Sequence, residues 1–110
     1  MRVHLIKEKT IRLFVARYPG SKLSFEEWLT KIKLADWELP GDIRQTFPSA
    51  DLLGNGSSRV IFDISGNRYR VIGKYAFGET EVHLFVCWIG THADYDKLCI
   101  EEKQYTVNIY

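Results

Sequence analysis

Three runs in the second half of the chain, "RVIFDI", "NRYRVIGKYAF" and "EVHLFVCWI", are rich in Val, Ile, Phe, Tyr and Trp, and only Ser65-Gly66-Asn67 and Gly78-Glu79-Thr80 separate them. Turns that short join antiparallel neighbours, so the runs form a meander. A sheet of this kind must bury one face against something apolar. The first half supplies it. Ile11, Phe14, Val15 and Tyr18 recur at spacings of three and four, which predicts an amphipathic helix over residues 7–18, ended by Pro19-Gly20. A second helix, over residues 24–37, is announced by Ser24 with Glu27 at capping-box spacing, Ser21 being the alternative cap, and buries Phe25, Trp28, Leu29 and Ile32.

The opening "RVHLI" alternates and reads as a short strand, while the stretch from Pro40 to Gly56 is a connector with room for a helical turn or two. Thr91 can cap a last helix through the backbone N–H of Asp94, with His92 and Tyr95 in its first turn. The order strand, helix, helix, three strands, helix predicts an α+β fold. It is a small, mainly antiparallel sheet with two N-terminal helices packed on one face and a short C-terminal helix. A chain of 110 residues has room for one domain, residues 1–110. Trp28, Trp37 and Trp88 are expected in the core, and His4 and His83 as structural strand residues.

The net charge of +1 gives no bulk attraction to nucleic acid or to an anionic membrane, so any basic surface has to be local. Two cysteines, Cys87 and Cys99, are too few for a disulfide framework or a zinc site. The N-terminus lacks the apolar core of a signal peptide and no segment approaches a membrane span, so a cytoplasmic protein is expected.

Alternate residues of a strand share a face, so Arg68, Arg70, Ile72 and Lys74 project together and Tyr69, Val71, Gly73 and Tyr75 project the other way. Helices covering the second set leave a basic row on an open face, joined by Arg59, where phosphates and bases can be held. A bulge at Gly73 would send Lys74 to the opposite face. The same row also suits plain solvation. His92 and Tyr95 lie three apart on the last helix. An imidazole titrates near neutral pH, and a phenol beside cations can have its pKa lowered, so the pair suits general acid–base work. A Thr-capped helix start with acidic residues is equally what the helix dipole favours. Asp94 and Asp96 point to different sides and suggest no metal cluster. There is no Gly-x-Ser-x-Gly elbow, no phosphate-cradling Gly-x-x-x-x-Gly-Lys loop and no His-Glu-x-x-His.

Read end to end, "ADWELPGDIRQTFPSADLL", "RVIFDISGNRYRVI" and "IGTHADYDKL" resemble the HigB branch of the RelE-type toxins of bacterial toxin–antitoxin pairs. The resemblance runs from the "RV" start to about Leu98. It implies an endoribonuclease that enters the ribosomal A site and cuts mRNA with no metal or other cofactor, neutralised by a helix-turn-helix antitoxin of the HigA type. Carried onto this sequence, Arg70 would hold the scissile phosphate and Lys74 would stabilise charge on the phosphoryl oxygens. His92 and Tyr95 would supply acid and base in either order; Arg59 and Arg68, from the basic row, are the expected RNA-binding cations. Two departures stand out: Cys87 occupies a last-strand position that is basic in many relatives, and the segment after Leu98 matches poorly. A binding module that has lost turnover is the competing expectation, and a purely structural domain is a third.

Overall fold

In the computed structural model, which describes residues 1–110, the elements run β1 (Arg2–Ile6), α1 (Glu8–Arg17), α2 (Lys22–Leu34), α3 (Ile43–Thr46), β2 (Asp51–Leu52), β3 (Arg59–Ile64), β4 (Tyr69–Phe77), β5 (Glu81–Thr91) and α4 (His92–Ile100). The fold is α+β. Its single sheet has the order β1-β5-β4-β3-β2, antiparallel throughout except that β1 pairs parallel with β5. The two-residue β2 escapes sequence reading because it is too short to carry a period. No helix is long and apolar enough to cross a membrane.

Helix α1 has the expected extent to within a residue at each end. Helix α2 starts earlier than expected, straight after a 3-10 turn at Pro19–Ser21, so Ser24 lies inside its first turn and caps nothing. Ser21 donates its hydroxyl to the Tyr18 carbonyl at 2.6 Å, which fastens the corner between α1 and α2. The helix also stops at Leu34. Trp37 lies beyond it, in a segment fixed by its backbone N–H to Met1 O and its indole N–H to Thr46 Oγ1, both at 2.9 Å.

Phe25, Trp28 and Ile32 of α2, Ile11 and Phe14 of α1, and Trp37 form the main core with Val60, Phe62, Ile64, Val71, Val82 and Leu84 of the sheet. Each such aliphatic side chain stabilises the fold by roughly 1.5–3 kcal/mol when fully buried. The alternation on β4 holds: Tyr69, Val71 and Tyr75 meet this core while Ile72 belongs to a second cluster on the opposite face.

The irregularity anticipated at Gly73 sits on the other strand. Ile72 pairs with Trp88 and Gly73 with Val86, so Cys87 is the extra residue of a bulge on β5. Cys87 and Trp88 consequently both face outward, whereas Val86 and Ile89 face the main core. Trp88 is thus buried in the second cluster and not in the main one. Because β4 itself is regular against β3, Lys74 stays on the face of Arg70.

The outward face differs from expectation in being largely covered. Ile61, Ile72, Cys87, Trp88 and Tyr95 make a five-residue cluster closed over by Leu98 and Cys99 of α4 and by Val107. The chain beyond α4 runs back across the sheet, where Ile109 donates its N–H to Cys87 O at 3.1 Å. Burying the apolar side chains of this cluster outweighs leaving that face of the sheet open.

Candidate active site

Register across β3 and β4 orders the outward face into three rows: Arg59 opposite Lys74, Ile61 opposite Ile72, and Asp63 opposite Arg70. The apolar middle row separates two polar ends. At one end the turn between β3 and β4 and the start of α4 come together, because β4 and β5 pair Arg70 with Gly90 and His92 N–H donates to Arg68 O at 2.9 Å.

Arg70 is the best-held side chain there. Its Nη2 donates to Asn67 Oδ1 at 2.8 Å, and its Nε lies 3.4 Å from Asp63 Oδ1, an ion pair without an aligned hydrogen bond. The guanidinium carbon sits 4.9 Å from the centroid of the Tyr95 ring. Carboxylate, amide and ring together fix the plane of the fork, and Nη1 makes no hydrogen bond within the chain. Asp63 was legible as the strand partner of Arg70 only once the register was known.

Gly90 makes this packing possible. A Cβ built there would lie 2.4 and 2.5 Å from the Trp88 ring, so the indole folds over the glycine and then meets the Tyr95 ring at a centroid distance of 6.1 Å. Gly90, Trp88, Tyr95 and Arg70 thus form one continuous line of contacts.

Thr91 caps α4 as the sequence predicts, its Oγ1 accepting from Asp94 N at 3.2 Å. That places His92 in the first turn with Nε2 3.3 Å from Asp96 Oδ2, four residues on, and with Nδ1 buried and unpartnered. No three His, Cys, Asp or Glu side chains gather where they could hold a metal ion. The sequence reading gave Asp96 no role; the i, i+4 spacing from His92 is the signal that would have found it.

Several expectations change. Tyr95 is buried, and that burial, with the Cys99 thiol beside it, raises the phenol's pKa by more than Arg70 lowers it. The expected lowering by neighbouring cations is reversed, so Tyr95 stays protonated and is no base near neutral pH. Arg59 is only 6% exposed and donates Nη1 to Gln104 O at 3.2 Å and Val107 O at 2.6 Å. It is a strut for the final segment and not a free RNA-binding cation. Lys74 is exposed but four residues along β4 from Arg70, about 13 Å away by strand rise, with Ile72 between. It does not share a cluster with Arg70 and His92. Arg68 is exposed and close to the His92 backbone, though it lies in the turn, where strand alternation does not set its direction. Cys87 is buried under the final segment, so an arginine there would displace that segment.

The family profile described as HigB toxin, RelE-like toxic component of a toxin–antitoxin system, matches residues 21–98. Similar proteins include the mRNA interferase HigB of Escherichia coli O6:H1, 30% identical over 96 residues that cover 87% of this chain and 91% of that protein. The mRNA interferase toxin HigB of Escherichia coli K12 is 24% identical over 94 residues, 86% of this chain and 88% of that protein. The chain therefore belongs to the HigB family of RelE-like toxins of toxin–antitoxin systems.

Proposed function

We propose that the chain is an mRNA interferase: an endoribonuclease acting in the cytoplasm as the toxin of a toxin–antitoxin pair, cutting messenger in the ribosomal A site without a metal. The observation that carries this reading is the clamped guanidinium of Arg70 beside the helix start that bears His92. Arg70 binds the scissile phosphate through its free edge. The 2′-hydroxyl of the preceding ribose attacks that phosphorus while its proton passes to water, and the bond from phosphorus to the 5′-oxygen breaks. His92 Nε2 gives its proton to the departing oxygen, Asp96 lying where it neutralises the imidazolium before the transfer. The products are a 2′,3′-cyclic phosphate and a 5′-hydroxyl. Tyr95 is assigned a positioning role beneath Arg70, and Arg68 and Lys74 are assigned contacts with flanking phosphates.

A helix-turn-helix antitoxin is the proposed neutralising partner, docking on α1 and α2. Those helices expose Leu13 at 62%, Leu23 at 79% and Leu34 at 81%, and a hollow of about 390 Å³ lies between them, lined by Ile11, Val15 and Phe25 among others. A second reading, a binding module without turnover, draws support from the separation of Lys74 from Arg70. The two part on cleavage. Inducible expression of the parent and of His92→Ala, followed by mapping of messenger 5′ ends, should give new ends within coding regions for the parent alone. Intact messages with abundant folded parent would favour the binder.

A further inference from the structure

At the far end of the outward face, away from Arg70, two strand cations and one that follows a strand form a group of their own. Arg59 on β3 stands directly opposite Lys74 on β4, Lys74 pairs with Phe85 on β5, and Lys7 follows β1, whose last residue pairs with the same Phe85. Lys7, Arg59 and Lys74 line one depression of about 440 Å³ together with Phe85, Cys87 and Asn108, and no carboxylate lines it. Like charges facing each other across a strand pair are destabilising, by roughly 0.2–1 kcal/mol. Here one of the pair is also buried, with carbonyls as its only partners. Lys7 is held in place by a left-handed backbone, φ 72°, which costs a residue with a Cβ about 1–2 kcal/mol. The Cys87 thiol shares this depression with the three cations, and its burial raises its pKa by more than their charges lower it.

We propose that this depression is a second phosphate subsite, holding an RNA phosphodiester on the same strand as the one at Arg70, with Lys7 and Lys74 as its ligands, Asn108 as a further donor and Arg59 as fixed charge beneath. It rests on the reading of the chain as an RNA-handling protein. It assigns RNA contacts to Lys7 and Asn108, which lie outside residues 21–98 that match the family, and it gives the final segment a role as one wall of the site. The shared chemistry is a phosphate group, and an RNA strand is the proposed source.

The test uses the full chain carrying His92→Ala, so that RNA is bound and not cut. Binding of a fluorescein-labelled single-stranded oligoribonucleotide is followed by anisotropy over a range of salt, for Lys7→Gln, Lys74→Gln and the double variant, with Lys33→Gln on α2 as control. A lysine on a single-stranded phosphate contributes about 0.7 to the slope of log K against log salt. Each single variant is expected to lose about that much slope, the double variant about twice as much, and the control none. Slopes unchanged in the double variant would overturn the proposal. So would lysine-dependent binding of inorganic phosphate with RNA binding unaffected, which would make it a free-anion site. A wild-type chain that cuts no messenger yet shows the lysine-dependent slope would sink the ribonuclease reading and leave this subsite standing.

Discussion

The guanidinium of Arg70 rests on the face of Tyr95 at 4.9 Å from the ring centroid, and this contact couples the start of β4 to the first turn of α4. A cation over an aromatic face gains roughly 0.5–2 kcal/mol, the more so when partly desolvated. The ring therefore acts through its face. Its phenol, kept protonated by burial, contributes no base.

That same burial sets an alkaline limit on stability. Burial is the largest cause of the raised pKa values of Cys87, Tyr95 and Tyr110, whose ordinary values are 9.0, 10.0 and 10.0. A folded-state pKa above the unfolded one means that the unfolded chain releases the proton first. The associated stability is full below about pH 9 and is lost as pH rises beyond it. Thermal melts should be flat from neutral pH to about pH 9 and then fall. Tyr95→Phe should make the fall shallower above pH 10, where its phenol would otherwise contribute.

His92 and Asp96 differ in what their removal costs. Loss of a positioned acid typically lowers a rate by about 10²–10⁴-fold, which is the drop expected for His92→Ala in cleavage of a mapped message. Asp96 is exposed and its pairing is a surface one, worth up to about 1 kcal/mol. Asp96→Asn should thus lower the same rate by no more than about fivefold. Equal losses in the two variants would mean that the carboxylate itself handles the proton.

Gly90→Ala should destabilise the fold by about 1–3 kcal/mol in urea titrations, the usual cost of an overpacked site, because the new methyl meets the Trp88 ring. The indole would then move off Tyr95, so cleavage should fall as well. An unchanged midpoint would show that the Trp88 ring adapts freely.

Arg59→Ala removes two hydrogen bonds from a charged donor to the carbonyls of Gln104 and Val107. Such bonds are worth roughly 1.5–3 kcal/mol each when intact. The expected result is faster hydrogen exchange at the N–H groups of Val107 and Ile109, which bond to Lys103 and Cys87, with that of β3 and β4 little changed. Exchange that quickens equally throughout the sheet would assign Arg59 to global stability instead.

The strands and the two long helices were legible because their signals are local: β-branched runs between tight turns, and apolar residues at helical spacing. Thr91 was legible for the same reason, since a cap needs only its own neighbours. What escaped depended on register. The bulge at Cys87 reverses the faces of β5, and nothing in "FVCWIG" marks which strand is irregular. Arg59, Arg70 and Lys74 looked equivalent as a basic row. Pairing gives Arg70 a carboxylate at Asp63, buries Arg59 under a segment 45 and more residues distant, and sets Lys74 apart. The final segment "CIEEKQYTVNIY" carries too weak a pattern to foretell that it closes the outward face.

The most direct test of the site is the rate of messenger cleavage at one mapped position for the parent, Arg70→Ala, Arg70→Lys and Tyr95→Phe, each normalised to folded protein. The account predicts that Arg70→Ala abolishes cleavage, that Arg70→Lys recovers little of it because the fork and its stacking are lost, and that Tyr95→Phe cuts within a few-fold of the parent. Full activity in Arg70→Ala, or a Tyr95→Phe variant as inert as Arg70→Ala, would contradict it.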